Sequence, residues 1–379
     1  MKMVTAEDKI LLWVAASGDP ETSAPAWLPG KLDAEESNRL TDTAVREGMA
    51  GLLYHRLKTT GRLKALDDPA RARLKSIYYL TIQSNLRFFD AIKEITEQGV
   101  PFVLMQGAAL LTDTYQDPGL RPLSDIDLWV LPRNRDRLLA VLSRLGFEEN
   151  PLVPGVLRRG FVLADVHTHL DWAERIQATR FLFALDAEEI HRSCRRVTWD
   201  GLHLHCLGRY DQAIYLTVHA VKHNLERLIW LADIQRLTAA WQASDWEGLR
   251  QRAEQLGQER VPALLAYLRQ ALFDMPTPAA ATAGSPLSAV QRYLLRMRKR
   301  GPLPKWSSLA LLTAGNPVRQ LEFALESMFP RPEILRQVFA DRLDLSDRQL
   351  YGLRVRQLLG MMRSYTACHN NVPKKRVAA

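Results

Sequence analysis

The period of the apolar pattern changes twice along this chain, and that constrains the fold more than any other feature of the sequence. Up to Gly99 the pattern is helical. EESNRLTDTAVREGMAGLLYHRLK and YYLTIQSNLRFFDAIKEITEQG both place apolar residues three and four apart. From Val100 the spacing shortens. VPFVLMQG, Val100 to Gly107, is a nearly unbroken apolar run, the pattern of a buried strand ending at a glycine turn, with AALLTDTY opening a helix behind it. DIDLWVL (Asp125 to Leu131) and GFVLADVHTHLDW (Gly160 to Trp172) read as further strands, and NRDRLLAVLSRLGF reads as an amphipathic helix between them. RVTWDGLHLHCL carries Asp-Gly between two β-like segments, a hairpin signal. From Arg209 the helical period returns as one stripe through DQAIYLTVHAVKHNLERLIWLADIQRLTAAW.

The expected organisation is an N-terminal helical region at 1–95, an α/β core at 96–207, a helical domain packing on the core at 208–274, a linker or long loop at 275–288, and a basic helical region at 289–379. A chain of 379 residues with 47% hydrophobic and 25% charged residues has the balance of a soluble globular protein, which excludes a wholly disordered or collagen-like chain. The longest uncharged run, Met275 to Gln291, is broken by three prolines and is no membrane span. Cys194, Cys206 and Cys368 are too few for a disulfide framework or a four-thiolate zinc site, and the opening residues lack a secretory pattern, so the expected compartment is cytoplasmic. The net charge of +9 is uneven. From Ala289 onward there are 17 Lys+Arg and 6 Asp+Glu, a net +11, which leaves −2 for the rest. A basic C-terminal region fits either a polyanionic partner or a solvated helical surface.

The chemistry concentrates in the α/β stretch. In a strand, Asp125 and Asp127 point to one face and Ile126 and Leu128 to the other. Two carboxylates on one face repel unless a cation lies between them, and a hard divalent cation prefers oxygen ligands. Asp165 is the candidate third carboxylate, sharing a strand face with His167 and His169 by the same alternation. The turn Met105-Gln106-Gly107-Ala108-Ala109 supplies the other half. Gly107 lets backbone approach a ligand, and the helix start behind it offers free amide N–H groups to phosphate.

The run LMQGAAL…YQDPGLRPLSDIDLWV resembles the polymerase-β-like nucleotidyltransferase superfamily, and within it the bacterial uncharacterised nucleotidyltransferase family. The residues that carry the resemblance are Gly107, Ala108, Tyr115, Pro118-Gly119-Leu120-Arg121-Pro122, Asp125-Ile126-Asp127 and Asp165-Val166-His167, followed by His219, Trp230 and Asp233 in the downstream helical stretch. It implies an α+β fold: a small mixed-sheet core flanked by helical regions. It also implies a magnesium- or manganese-dependent enzyme that moves a nucleoside monophosphate from an NTP to an acceptor hydroxyl and releases pyrophosphate. In that reading Asp125, Asp127 and Asp165 hold the metal and carry catalysis. Gln106, Gly107, Ala108, Arg121, Ser124 and His167 form the nucleotide-binding set, with Arg121 balancing phosphate charge. The acceptor would be a small molecule or sugar, an RNA such as a tRNA end, or a protein. Gln106 stands where the family usually has lysine, and Ala108 lacks a hydroxyl often used on phosphate.

Two other readings stand beside the enzyme. One is a nucleotidyltransferase-fold scaffold, weak or inactive in catalysis, for which Gln106 is the main support. The other is a nucleic-acid-binding protein acting through its basic C-terminal helices. His203, His205 and Cys206 read as hairpin packing rather than zinc ligands. His219, His223 and Asp233 read as a polar network between helices or as residues lining a cleft.

Overall fold

The computed structural model describes residues 5–16, 24–170, 177–182, 187–276, 278–282, 287–298, 303, 308, 311, 317–342 and 344–370. Asp171 and Trp172, part of the linker stretch and the C-terminal tail from 371 lie outside the described residues.

Among the described residues, four α-helices precede the first strand: α1 (Ala6–Ala16), α2 (Ala34–Arg46), α3 (Ala50–Thr59) and α4 (Asp68–Glu97). The single stripe expected over α2 and α3 is interrupted at Gly48, whose φ of +74° no continuing helix accommodates. Asp33 and Glu36 form a capping box at the start of α2.

The strands are β1 (Val103–Leu104), β2 (Ile126–Trp129), β3 (Glu148–Glu149), β4 (Val156–Arg159), β5 (Val162–His167), β6 (Arg195–Trp199) and β7 (Leu202–Cys206). They form one seven-stranded mixed sheet in the order β3-β4-β5-β2-β1-β7-β6. The pairs β2/β5 and β1/β7 are parallel, and the other neighbours are antiparallel. β1, β2 and β5 are shorter than the apolar runs that contain them, yet Val100, Met105, Val130 and Leu131 beyond the strand ends are core residues as well. The Asp-Gly hairpin forms, with Asp200 and Gly201 both at positive φ.

Helices α5 (Gln106–Asp113) and α6 (Arg135–Arg144) lie between strands in the chain, followed by α7 (Ala187–Arg192). The stripe after Arg209 is two helices, α8 (Arg209–Lys222) and α9 (Leu228–Leu237), separated at Asn224 and Leu225, which adopt left-handed φ of 54° and 53°. α10 (Ala243–Gln255) and α11 (Val261–Phe273) pack on α8. α4 packs on β5 and β7, and its Phe89 stacks on Trp199 at the end of β6 with ring centroids 3.9 Å apart. α1 packs on α9 and α11, and α9 packs on α5, so helices from both ends of the sheet segment meet around one hydrophobic core. Nearer the C-terminus come the helices Ala289–Met297, Pro317–Met328, Pro332–Val338 and Asp347–Asn370. Among the described residues no helix is long and apolar enough to cross a membrane. The architecture is α+β, a mixed sheet surrounded by helices.

Candidate active site

Strands β2 and β5 run parallel with Asp127 opposite Asp165 and Trp129 opposite His167. Period-two alternation then puts Asp127, Asp165 and His167 on one face of the sheet. Asp127 is only 6% exposed. His167 Nε2 lies 3.2 Å from Asp127 Oδ1 and 3.5 Å from Asp165 Oδ2. One ligand atom from each of the three falls within 4.8 Å of the others. Asp125 is not in this cluster. It lies one residue before the ladder, which begins at Ile126, and lines the same cavity as Asp127. Asp125 instead accepts a 2.9 Å hydrogen bond from the Ser124 hydroxyl.

The cluster opens into a cavity of about 590 Å³. Its sheet-side lining includes Gln106, Gly107, Ser124, Asp125, Asp127, Asp165 and His167. Lys222, His223, Arg227 and Trp230 face it from the α8–α9 segment, and Arg331, Glu333, Ile334 and Gln337 from the stretch around the helix Pro332–Val338. Lys222, Arg227, Arg331, Glu333, Ile334 and Gln337 carry no local sequence signal, since only tertiary folding brings them to the cavity.

Burial pushes the Asp127 carboxyl up to about 6, with the Asp125 and Asp165 charges acting in the same direction and the His167 hydrogen bond against it. A cation would relieve this strain between like charges. Two carboxylates and an imidazole, without a thiolate, suit a divalent cation that favours oxygen and nitrogen ligands. The residues present therefore fit such an ion.

Arg121 lines the cavity and is also held in a buried ion pair. Its guanidinium is 8% exposed and bridges to Asp233 Oδ2 at 3.0 Å, while Nη1 donates to the Pro122 carbonyl at 3.0 Å. The Tyr115 hydroxyl donates to Asp233 Oδ1 at 2.7 Å. Tyr115, Arg121 and Asp233 are thus one buried unit joining the loop before β2 to α9. Burial, followed by the Asp233 charge, raises the Tyr115 hydroxyl well above its ordinary value. Gly107 has its physical reason here as well. A Cβ on it would lie 1.8 Å from Arg121 Nη1, so the missing side chain admits the arginine. Asn85, which carried no sequence signal, fixes the same loop: its amide donates to the Pro118 and Arg121 carbonyls and its oxygen accepts from Leu123 N–H.

Gln106 adopts φ +49° at the start of α5 and donates its side-chain amide to Asp127 Oδ1 at 2.6 Å. Ala108 is buried behind it. His219 is buried, and burial, with His223 and Lys222 next in effect, pushes its imidazole well below the ordinary value. Its ring meets Trp230 edge-on at 5.4 Å, and His223 lies 4.7 Å away. His169 is exposed beyond the end of β5, and His203 sits 3.3 Å from the Thr198 hydroxyl on the hairpin.

The family model described as uncharacterised nucleotidyltransferase matches residues 33–274, more than half of the chain. The chain belongs to that family. No curated protein and no solved structure matches it. The matched stretch of this nucleotidyltransferase-family chain contains the whole sheet, α8 and α9, but ends before Arg331, Glu333, Ile334 and Gln337, which line the same cavity.

Proposed function

We propose that this chain moves a nucleoside monophosphate from an NTP to an acceptor hydroxyl, in a reaction dependent on Mg²⁺ or Mn²⁺. The observation that carries the reading is the pairing of Asp127 with Asp165 across parallel strands, with His167 within 3.5 Å of both, at the wall of a cavity of small-molecule size. Asp127, Asp165 and His167 would hold the cation, with Asp125 on the same wall. A bound divalent cation supplies charge stabilisation to phosphoryl oxygens. The acceptor oxygen forms a bond to the α-phosphorus, the bond to the β-phosphate oxygen breaks, and pyrophosphate leaves. Asp165, whose side chain is 33% exposed against 8% for Asp127, would take the acceptor's proton; its greater exposure supports that role. His167 orients Asp165, and neutral His219 lines the cavity as a hydrogen-bonding group. A small molecule or sugar acceptor fits the cavity volume best.

The test is pyrophosphate release with each of the four NTPs and Mg²⁺ or Mn²⁺, in the presence of small-molecule extract or total RNA. Release that disappears in Asp127→Asn and Asp165→Asn supports the reading. Release unaffected by both substitutions, or none with any mixture, overturns it.

One observation favours a second reading. The Gln106 amide occupies the Asp127 oxygen nearest His167, where a cation would otherwise be accepted. A chain held in that state binds nucleotide without turnover and acts as a scaffold. Nucleotide binding that survives Asp127→Ala, without pyrophosphate release, is its signature.

A further inference from the structure

We propose that Arg227 is an anion-binding residue, kept without a counterion so that it grips the phosphate chain of the nucleotide. The nucleotide as the source of that chain rests on the function proposed above; the anion site does not.

The argument starts from the other charges nearby. Arg121 is paired with Asp233 at 3.0 Å. Arg298 is paired with Glu47 at 3.4 Å, and the same Glu47 oxygen accepts from Leu228 N–H at 2.9 Å. The charges acting on Arg227 are Arg121, which opposes its own charge, and Glu47, Asp233 and Asp125, which favour it. Two of those three carboxylates are already committed to other arginines. Arg227 itself makes no hydrogen bond or ion pair with the described residues, and its Nε is buried without a partner. Buried arginine nitrogens are ordinarily satisfied, so an unsatisfied one beside a cavity points to a ligand that is to supply the acceptor.

The fold builds this position. Arg227 caps α9 immediately after the left-handed turn at Asn224 and Leu225. A Cβ on Gly48 would lie 2.8 Å from Arg227 Nη2, so the guanidinium rests over bare backbone. Lys222 and Arg331 line the same cavity. The helix side of the cavity therefore carries three cations, Lys222, Arg227 and Arg331, against one carboxylate, Glu333, while the sheet side gathers Asp125, Asp127 and Asp165. That polarity matches a polyanion carrying a cation, and the planar guanidinium fork suits phosphate oxygens.

The probe is inorganic tripolyphosphate, added to the full chain with no divalent metal and compared with sulfate at equal ionic strength. The readouts are calorimetric affinity and the melting temperature. We expect tripolyphosphate to raise the melting temperature of the wild type where sulfate does not. Arg227→Met removes a buried unsatisfied donor while keeping the apolar stem, so without ligand it should melt no lower than the wild type, yet bind tripolyphosphate at least about tenfold more weakly. Arg227→Lys, which keeps the charge, should fall between. The inference is overturned if Arg227→Met binds as the wild type does, if it melts well below the wild type in the absence of ligand, or if sulfate matches tripolyphosphate. Arg227-dependent tripolyphosphate binding without pyrophosphate release from any NTP would retain the anion site and overturn the transferase.

Discussion

The side-chain amide of Gln106 donates to Asp127 Oδ1 at 2.6 Å, and the backbone of Gln106 is held at φ +49° while it does so. A non-glycine residue in the left-handed region costs about 1–2 kcal/mol, so the contact is maintained against local strain. The same residue position therefore tunes the carboxylate that the metal would need. Gln106→Lys exchanges a neutral donor for a cation beside Asp127. The Asp127 carboxyl, now raised to about 6, should drop by about one unit or more. Carboxyl titration by NMR in the absence of metal reads this directly, and an unchanged midpoint would mean that the lysine points away.

Asp127 also links the site to stability. Its folded-state pKa lies above the ordinary 3.8, at about 6, so the folded protein holds this proton more tightly than the unfolded chain. Stability is thus lost as pH rises from about 4 to about 6, and the deficit persists above that. The full shift corresponds to about 3 kcal/mol. Asp127→Asn keeps an oxygen for the Gln106 amide and removes the charge. It should be more stable than the wild type at pH 7.5, close to it at pH 4, and deaf to Mg²⁺, while the wild type gains stability with the ion. Urea midpoints at the two pH values, with and without Mg²⁺, check all three statements.

Gly107 and Arg121 make a steric prediction. A Cβ at Gly107 falls 1.8 Å from Nη1 and 2.3 Å from the central carbon of a guanidinium that Asp233 and the Pro122 carbonyl hold in place. Gly107→Ala should displace the arginine and cost about 3–5 kcal/mol, the penalty for breaking a buried ion pair. In an Arg121→Ala background the added methyl has room, so the same substitution there should cost about 1 kcal/mol or less. A double-mutant cycle by denaturant unfolding measures the difference, and equal costs in both backgrounds would remove Arg121 as the reason for the glycine.

Much of the sheet was legible because period-two alternation is a local property. Asp165-Val166-His167 reads as a strand face from three residues, and in the structure ligand atoms of both polar side chains lie within 4.8 Å of one on Asp127. Asp125, one residue before the ladder at Ile126, stays outside the tight cluster but lines the same cavity as Asp127. Arg121 reads locally as a loop cation suited to phosphate. Its partner Asp233 is 112 residues away, and no local pattern announces that pairing. Arg227 and Arg331 were invisible for the same reason. The break between α8 and α9 was missed because buried Leu225 continues the apolar pattern, and leucine in the left-handed region is not a turn signal.

The C-terminal part of the cavity leads to the last prediction. Ile334 and its neighbours Arg331, Glu333 and Gln337 line the wall, yet they lie outside the family-matched residues 33–274. In the proposed reaction the nucleotide engages the sheet carboxylates and the α8–α9 cations, all inside the matched stretch. The remaining wall is then where chain-specific chemistry meets the acceptor. Ile334 is half-buried on a helix whose packing is anchored by buried Leu335, so a larger side chain at 334 projects into the cavity without unseating the helix. Ile334→Trp should raise the KM for the acceptor by about tenfold, the scale on which a small volume change in a pocket discriminates ligands. The KM for the NTP should stay within about twofold, and the circular dichroism spectrum should be unchanged. An increase confined to the NTP would place the nucleotide, rather than the acceptor, against this helix.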